Sequence, residues 1–285
     1  MNKKIFFIVI LLLTTILFFN SCTPVEHPSP TEQERIYRII LIGIGEYKYI
    51  DDIGSGIPNQ EFVDSVLSQW KFGKKKKGFE KITYLYNEEA TKTNIINTIK
   101  KEFGTAKEED VSYFFFGGHG GYGNGESYLC PYDCKSSAKG SIITTGELKN
   151  VFDSIEGTKV LIFDSCNCGG FIGKGDNHCL ENFVDIFKDE KKGSATLTGE
   201  NYKVLVSCRS NEICQTYGYN GLLSGVFTYA LIKGASDDFP ADVNRDSVIT
   251  LQEMYNYIKG RVVSLGYSQE IQVYPENDNF PIVEY

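Results

Sequence analysis

The chain has 285 residues, with 37 acidic side chains against 29 basic ones, a formal net charge of -8 and a pI near 5.1. Binding to phosphate backbones needs a basic surface, so this balance excludes a general nucleic-acid binder. With 41% hydrophobic residues over this length, there is apolar material for one domain with a sizeable core.

The chain opens on Lys3-Lys4, then Ile5 to Phe19 almost wholly apolar, then Ser21-Cys22. A basic start, a short apolar run and small residues before a cut describe a secretory signal over residues 1–21, and the run is too short for a good membrane span. Cys22 directly after Ser21 resembles a bacterial lipoprotein box, in which that cysteine takes lipid and becomes the mature N-terminus. Residues 22–34, with Pro24, Pro28 and Pro30, then read as an extended lipidated tether. The folded part is residues 35–285, anchored to a bacterial membrane and facing the periplasm or the cell surface.

Tyr37 to Gly45, YRIILIGIG, is a continuous apolar run ending in glycine and predicts a first buried parallel strand. Pro58-Asn59-Gln60-Glu61 starts a helix with Phe62, Val63, Val66, Leu67 and Trp70 on one face. Lys74 to Lys77 reads as a solvated connection. Phe79 to Tyr86 is a second strand, and Ala90-Thr91 leads into a helix with Ile95, Ile96, Ile99 and Phe103 inward and Gly104 past its end. Two βα units in succession imply a right-handed parallel sheet.

Val111 to Phe116 is the third strand and opens into Gly117-Gly118-His119-Gly120-Gly121-Tyr122-Gly123. There is no Gly-Lys-Ser/Thr ending and no G-x-G-x-x-G opening a helix, so this is not read as a phosphate-binding loop. Thr144 or Thr145 caps a helix through Leu148, Val151, Phe152 and Ile155. The fourth strand, VLIFD, runs into Ser165-Cys166. A long polar stretch, Gly173 to Asn201, reads as an exposed loop. Tyr202 to Ser207 is a fifth strand, Gly225 to Ile232 a helix, and Ile271 to Tyr274 a short last strand of unassigned direction.

His119 and Cys166 each follow a strand, and chemistry in open α/β sheets collects at the carboxyl edge. A thiol and an imidazole brought together there form a nucleophile and a proton-transfer group. A free cysteine keeps its proton to about pH 8.5, so the nucleophile needs a neighbour favouring the anion, and His119 is the candidate. The backbone N–H groups of Cys166 and Gly120 are candidates for the oxyanion hole. No cofactor is needed for this chemistry. The chain has eight cysteines, but apart from Cys22 and Cys166 they contain no pair of C-x-x-C knuckles, so a structural zinc site is not expected. Cys130 with Cys134 and Cys208 with Cys214 are the nearest disulfide pairs, with buried free thiols the equal alternative.

The order of these segments resembles the caspase and metacaspase group of cysteine peptidases, in its bacterial members. The matching residues run from Leu41-Ile42-Gly43-Ile44 through Ala90-Thr91, Asn94-Ile95, His119-Gly120, Tyr128-Leu129-Cys130-Pro131-Tyr132-Asp133 and Asp164-Ser165-Cys166 to Gly225-Val226-Phe227-Thr228-Tyr229-Ala230-Leu231. The resemblance implies a caspase-like three-layer α/β sandwich, a mostly parallel sheet of about six strands with helices on both faces, and a His119/Cys166 dyad. It also implies that Asp164 helps line the pocket for the substrate residue before the scissile bond, and that this residue is Arg or Lys. The chain departs from the pattern at Asn59-Gln60, where the family has a second acid, and at Gly117, where it has a small hydroxyl residue. Gln60 then lines the pocket in that acid's place, with Asp51, Asp52 or Glu61 as substitute carboxylates. Basic specificity would make the lysines of the 173–201 loop sites of self-cleavage.

Asp242, Asn244, Asp246, Val248, Thr250 and Glu253 stand at positions 1, 3, 5, 7, 9 and 12 of an EF-hand-like loop, with Ser247 in place of the usual glycine, so calcium is the candidate ion. The reading that follows is an exported, lipid-anchored cysteine endopeptidase acting on peptide or protein substrates. Its rival is a catalytically silent caspase-like module that binds a peptide or partner at the bacterial surface.

Overall fold

The computed structural model describes residues 35–54, 60–136, 138–174, 195–219 and 222–285. The signal segment, Cys22, the tether, Asn59 and residues 175–194 of the long loop lie outside the described residues. So do the side chains of Gln60, Glu61 and Phe62. No helix among the described residues is long and apolar enough to cross a membrane.

The first half of the chain gives β1 (Tyr37–Gly43), β2 (Lys81–Tyr86), β3 (Val111–Gly117), β4 (Gly120–Gly123), β5 (Glu126–Leu129) and β6 (Ile143–Thr144). Its helices are α1 (Gln60–Leu67), α2 (Lys92–Phe103) and α3 (Thr145–Phe152). The second half adds β7 (Thr158–Asp164), β8 (Tyr202–Val206), β9 (Thr216–Tyr219), β10 (Leu222–Gly225), α4 (Val226–Gly234), β11 (Val248–Thr250), α5 (Leu251–Ser264), β12 (Gln272–Tyr274) and β13 (Pro281–Glu284).

A six-stranded sheet in the order β12-β8-β7-β3-β1-β2 forms the centre. Its strands are parallel except β12, which runs antiparallel to β8 and gives the last strand its direction. Side chains alternate across a strand, so each run contributes to both faces. Ile40, Ile42, Phe114, Phe116, Leu161 and Phe163 pack into one core, while Ile39, Leu41, Tyr113, Phe115, Val160 and Ile162 pack into the other. Two buried faces explain why these segments read as unbroken apolar runs.

Helices cover both cores. On the first face α2 buries Ile95, Ile99 and Phe103, and α3 buries Leu148, Val151 and Phe152. The Thr91 side chain accepts from the Asn94 N–H, and Thr144, not Thr145, caps α3 in a reciprocal box with Glu147. The second face is covered by Val63, Val66 and Leu67 of α1, by Phe227 and Ala230 of α4 and by Met254 and Ile258 of α5. The result is a three-layer α/β sandwich.

At the amino end of the sheet Asp110 is buried against its own neighbours. Its carboxylate accepts from the backbone N–H of Ile36 at 2.9 Å and of Lys107 at 3.1 Å, and from Arg38 Nη1 at 3.2 Å. Those donors fix the start of β1 and β3 in register.

Candidate active site

β3 and β7 are adjacent, parallel, and paired as far as Gly117 opposite Asp164. The Gly118 N–H donates to the Asp164 carbonyl at 3.2 Å just beyond that pair. His119 and Cys166 therefore both leave the sheet two positions past a shared rung. They line one cleft of about 300 Å³ together with Asp52, Asp164, Cys214 and Thr228. Strand register, rather than proximity in the chain, brings the imidazole and the thiol to one rim.

His119 is held on two sides. Its backbone N–H donates to Tyr47 Oη at 2.6 Å, and the two rings lie 4.9 Å apart. Nε2 sits 2.9 Å from the Asp51 carbonyl, which only accepts, so Nε2 carries the hydrogen and Nδ1 is the basic nitrogen of the neutral ring. Burial pulls the His119 pKa below the ordinary histidine value, against the Asp51 carbonyl and the nearby Asp51 and Asp52, which favour the cation. Gly118 makes room for the tyrosine, since a Cβ there would lie 2.7 Å from Tyr47 Oη.

Cys166 is half-buried and its sulfur accepts the Cys214 N–H at 3.4 Å. Hydrogen bonding from Cys214 draws the thiol pKa down while burial pushes the other way. Asn167 follows with φ 60°, a left-handed conformation that asparagine tolerates better than most residues. The turn is held by Asn167 Nδ2 donating to Ser210 O at 2.6 Å and by its N–H donating to Glu212 O at 2.9 Å. Gly120 begins β4 and abuts Ser165, the residue before Cys166, because a Cβ on it would stand 2.8 Å from Ser165 Oγ. Gly117 and Gly118 line the cleft, and Gly120 is not among its lining residues.

Asp164 is the buried carboxylate of the cleft. It accepts from the backbone N–H of Thr228 at 3.2 Å and from Thr228 Oγ1, so it caps the first turn of α4 from across the sheet edge. Burial nevertheless pushes its pKa up to about 6, against those hydrogen bonds. Gly225 is required there, since a Cβ would lie 2.0 Å from Asp164 Oδ2. Thr228 and Gly225 were not singled out as site residues from sequence; the only signal was their place in the GVFTYAL segment. Of the acids considered as substitutes in the pocket, Asp52 lines the cleft, with one oxygen accepting the Tyr47 N–H at 2.7 Å. Asp51 meets His119 through its carbonyl instead. Gln60 is described only as the first residue of α1.

The six described cysteines, including Cys130 with Cys134 and Cys208 with Cys214, are all free thiols. Remote from the cleft's chemistry, the 242–253 loop forms a turn around Asp242. That carboxylate accepts the N–H groups of Arg245, Asp246 and Ser247 and the hydroxyl of Tyr285. Asp246 Oδ1 accepts the Val248 N–H at 2.9 Å and its Oδ2 the Asn244 side-chain amide at 3.0 Å, while Glu253 accepts from Thr250 as the N-terminal cap of α5. Among the described residues the loop's three carboxylates do not converge within 4.8 Å of one another.

No family model matches the sequence, and no curated protein matches it. The fold does recur among solved structures. A crystal structure of a Geobacter sulfurreducens protein from a structural-genomics programme superposes with a TM-score of 0.55 at 13% identity, covering 87% of this chain and 99% of that one. Likeness at this identity carries the fold alone.

Proposed function

We propose that this protein is a cysteine endopeptidase of caspase-like fold. The observation that carries the reading is the shared cleft of His119 and Cys166 at the carboxyl edge of two registered parallel strands. In the mechanism, His119 Nδ1 takes the thiol proton and the Cys166 sulfur adds to the scissile carbonyl. The backbone N–H groups of Cys166 and Gly120 stabilise the oxyanion, an interaction worth about 3 kcal/mol per donor. The imidazolium then gives its proton to the departing amine, and water releases the acyl group from sulfur.

Asp164 and Asp52 in the cleft support preference for Arg or Lys before the cut. The lysines of the 173–201 loop are then candidate self-cleavage sites, and the chain acts at a membrane through lipid on Cys22. Fluorogenic peptides carrying Arg, Lys, Asp or Leu at that position are the test, run on native protein and Cys166→Ala. The expected result is cleavage after Arg or Lys that falls by at least about 10⁴-fold in the variant. Hydrolysis surviving Cys166→Ala would remove the assignment of the nucleophile.

A further inference from the structure

Four of the six described cysteines are gathered at the cleft, with Cys166 and Cys214 in its lining and Cys168 and Cys208 buried. Cys166 and Cys168 follow β7, Cys208 and Cys214 follow β8, and the two turns are pressed together by the parallel pairing of those strands. A Cβ on Gly169 would lie 2.7 Å from the Ser210 nitrogen, which measures how closely the turns meet. Sequence spacing gave no hint of this set, because neither turn carries a C-x-x-C knuckle.

The sulfurs form a chain of near contacts. Cys168 Sγ is 3.6 Å from Cys208 Sγ, and Cys208 Sγ is 3.2 Å from Cys214 Sγ. All three lie within 4.8 Å of one another. A tetrahedral ion with metal–sulfur bonds of about 2.3 Å holds its sulfurs about 3.8 Å apart, so the separations of 3.6 and 3.2 Å fall somewhat short of it and a small outward shift of the sulfurs would admit the ion. The metal-free thiols donate to backbone carbonyls, Cys214 Sγ to Ser165 O at 3.0 Å and Cys208 Sγ to Ser165 O and Glu212 O at 3.3 Å, and other groups stand ready to donate to the sulfurs. Ser207 Oγ is 2.8 Å from Cys214 Sγ and 3.3 Å from Cys168 Sγ, and the Cys208 N–H donates to Cys168 Sγ at 3.4 Å. Such outer donors hold ligand sulfurs in place and favour their charge. Cys168 and Cys208 are fully buried, while Cys214 is partly exposed and lines the cleft, which gives an ion its way in.

We propose that Cys168, Cys208 and Cys214 form a binding site for one thiophilic divalent cation of the Zn²⁺ type, with Cys166 supplying a fourth sulfur once its side chain turns from the cleft toward the ion. Each ligating thiol loses its proton to solvent as its metal–sulfur bond forms, so no oxidant or reductant is required. A fourth bond to Cys166 takes the nucleophile out of action, and this last clause alone rests on the peptidase reading.

The test uses reduced, metal-stripped full-length protein titrated with Co²⁺ and then Zn²⁺. The expected result is one equivalent of Co²⁺ with the sulfur charge-transfer and visible bands of tetrahedral thiolate coordination, displaced by Zn²⁺. Cys166→Ala keeps the equivalent, whereas Cys208→Ser weakens it by at least about 100-fold, since even outer-shell losses cost 10–100-fold. Iodoacetamide mapping of the native protein, with and without Zn²⁺, gives a second readout independent of whether a variant folds. Zn²⁺ should protect Cys214 and Cys166 from alkylation. Native protein showing no thiolate bands overturns the site, whatever its peptidase activity. Bands with Cys166 alkylated at its metal-free rate overturn the fourth ligand and leave the three-sulfur site standing.

Discussion

The two ends of the central sheet each carry a buried carboxylate, and they are used in opposite ways. Asp110, at the amino end, is surrounded by donors from three neighbours, one of them the Arg38 guanidinium. Asp164, at the carboxyl end, is met by the neutral donors of Thr228 and the Ser207 hydroxyl rather than by a guanidinium, and faces a cleft. A carboxylate that serves the fold is satisfied on all sides by the chain itself. One that lines an open cleft is left with burial that its partners do not offset, and its raised pKa is the mark of that.

Substitution at the amino end should have the larger effect on stability. Asp110→Ala leaves Arg38 buried without its counter-charge and is expected to cost about 3–5 kcal/mol, as broken buried pairs do. Chemical denaturation measures this, and turnover per folded molecule should not change. A loss under about 1 kcal/mol would erase the contrast between the two ends.

Asp164→Asn should act with the other sign. The folded pKa is raised to about 6, above an unfolded value of about 3.9, so the native carboxyl favours folding below the lower value and loses that contribution as pH rises through the upper one. At pH 7 the burial costs the native protein on the order of 3 kcal/mol that the amide does not incur. Melting curves should place the variant above native protein at pH 7 and level with it near pH 4. A variant less stable than native at both pH values would show that Asp164 is as fully matched as Asp110.

The third expectation concerns rate. In the proposed mechanism His119 must be neutral to take the thiol proton, and burial lowers its pKa, so cleavage should rise with pH along a limb whose midpoint lies below about 6.5. Repeating the profile with Asp164→Asn separates this limb from titration of the carboxylate. A midpoint above the ordinary histidine value would place His119 in a charged, unburied setting.

The smallest effect is expected at the 242–253 loop. Asp242 resembles Asp110 in that its oxygens already accept three N–H groups and a tyrosine hydroxyl, so calcium has internal donors to displace. Calorimetry should detect weak binding, in the range of about 10⁻⁴–10⁻³ M seen for extracellular modules, that Asp246→Ala abolishes. A titration without heat removes the loop as a cation site.

The fold was legible because strands buried on both faces are continuous apolar runs, as at YRIILIG and VSYFFFG, and these set the sheet. His119 and Cys166 were legible because each closes such a run. What escaped notice depends on partners distant in the chain. The tie of Thr228 to Asp164 spans 64 residues, and the approach of Cys168 to Cys208 spans 40. Neither has local periodicity to announce it. The short strands β4, β5, β9 and β10 escaped as well, since four-residue ladders sit in glycine- and polar-rich sequence where alternation has no length to show. Capping was the exception, because Thr144 and Glu147 carry their signal within one helical turn.

The pairing of Gly117 with Asp164 has a consequence for the newly made chain. An unfolded polypeptide already contains the sulfur and the imidazole, but they share no space until β7 has zipped onto β3, a contact made late because closing a long loop must precede its reward. On the peptidase reading proposed above, turnover would thus report completion of the sheet, and partly folded molecules would be harmless to whatever lies near them during synthesis.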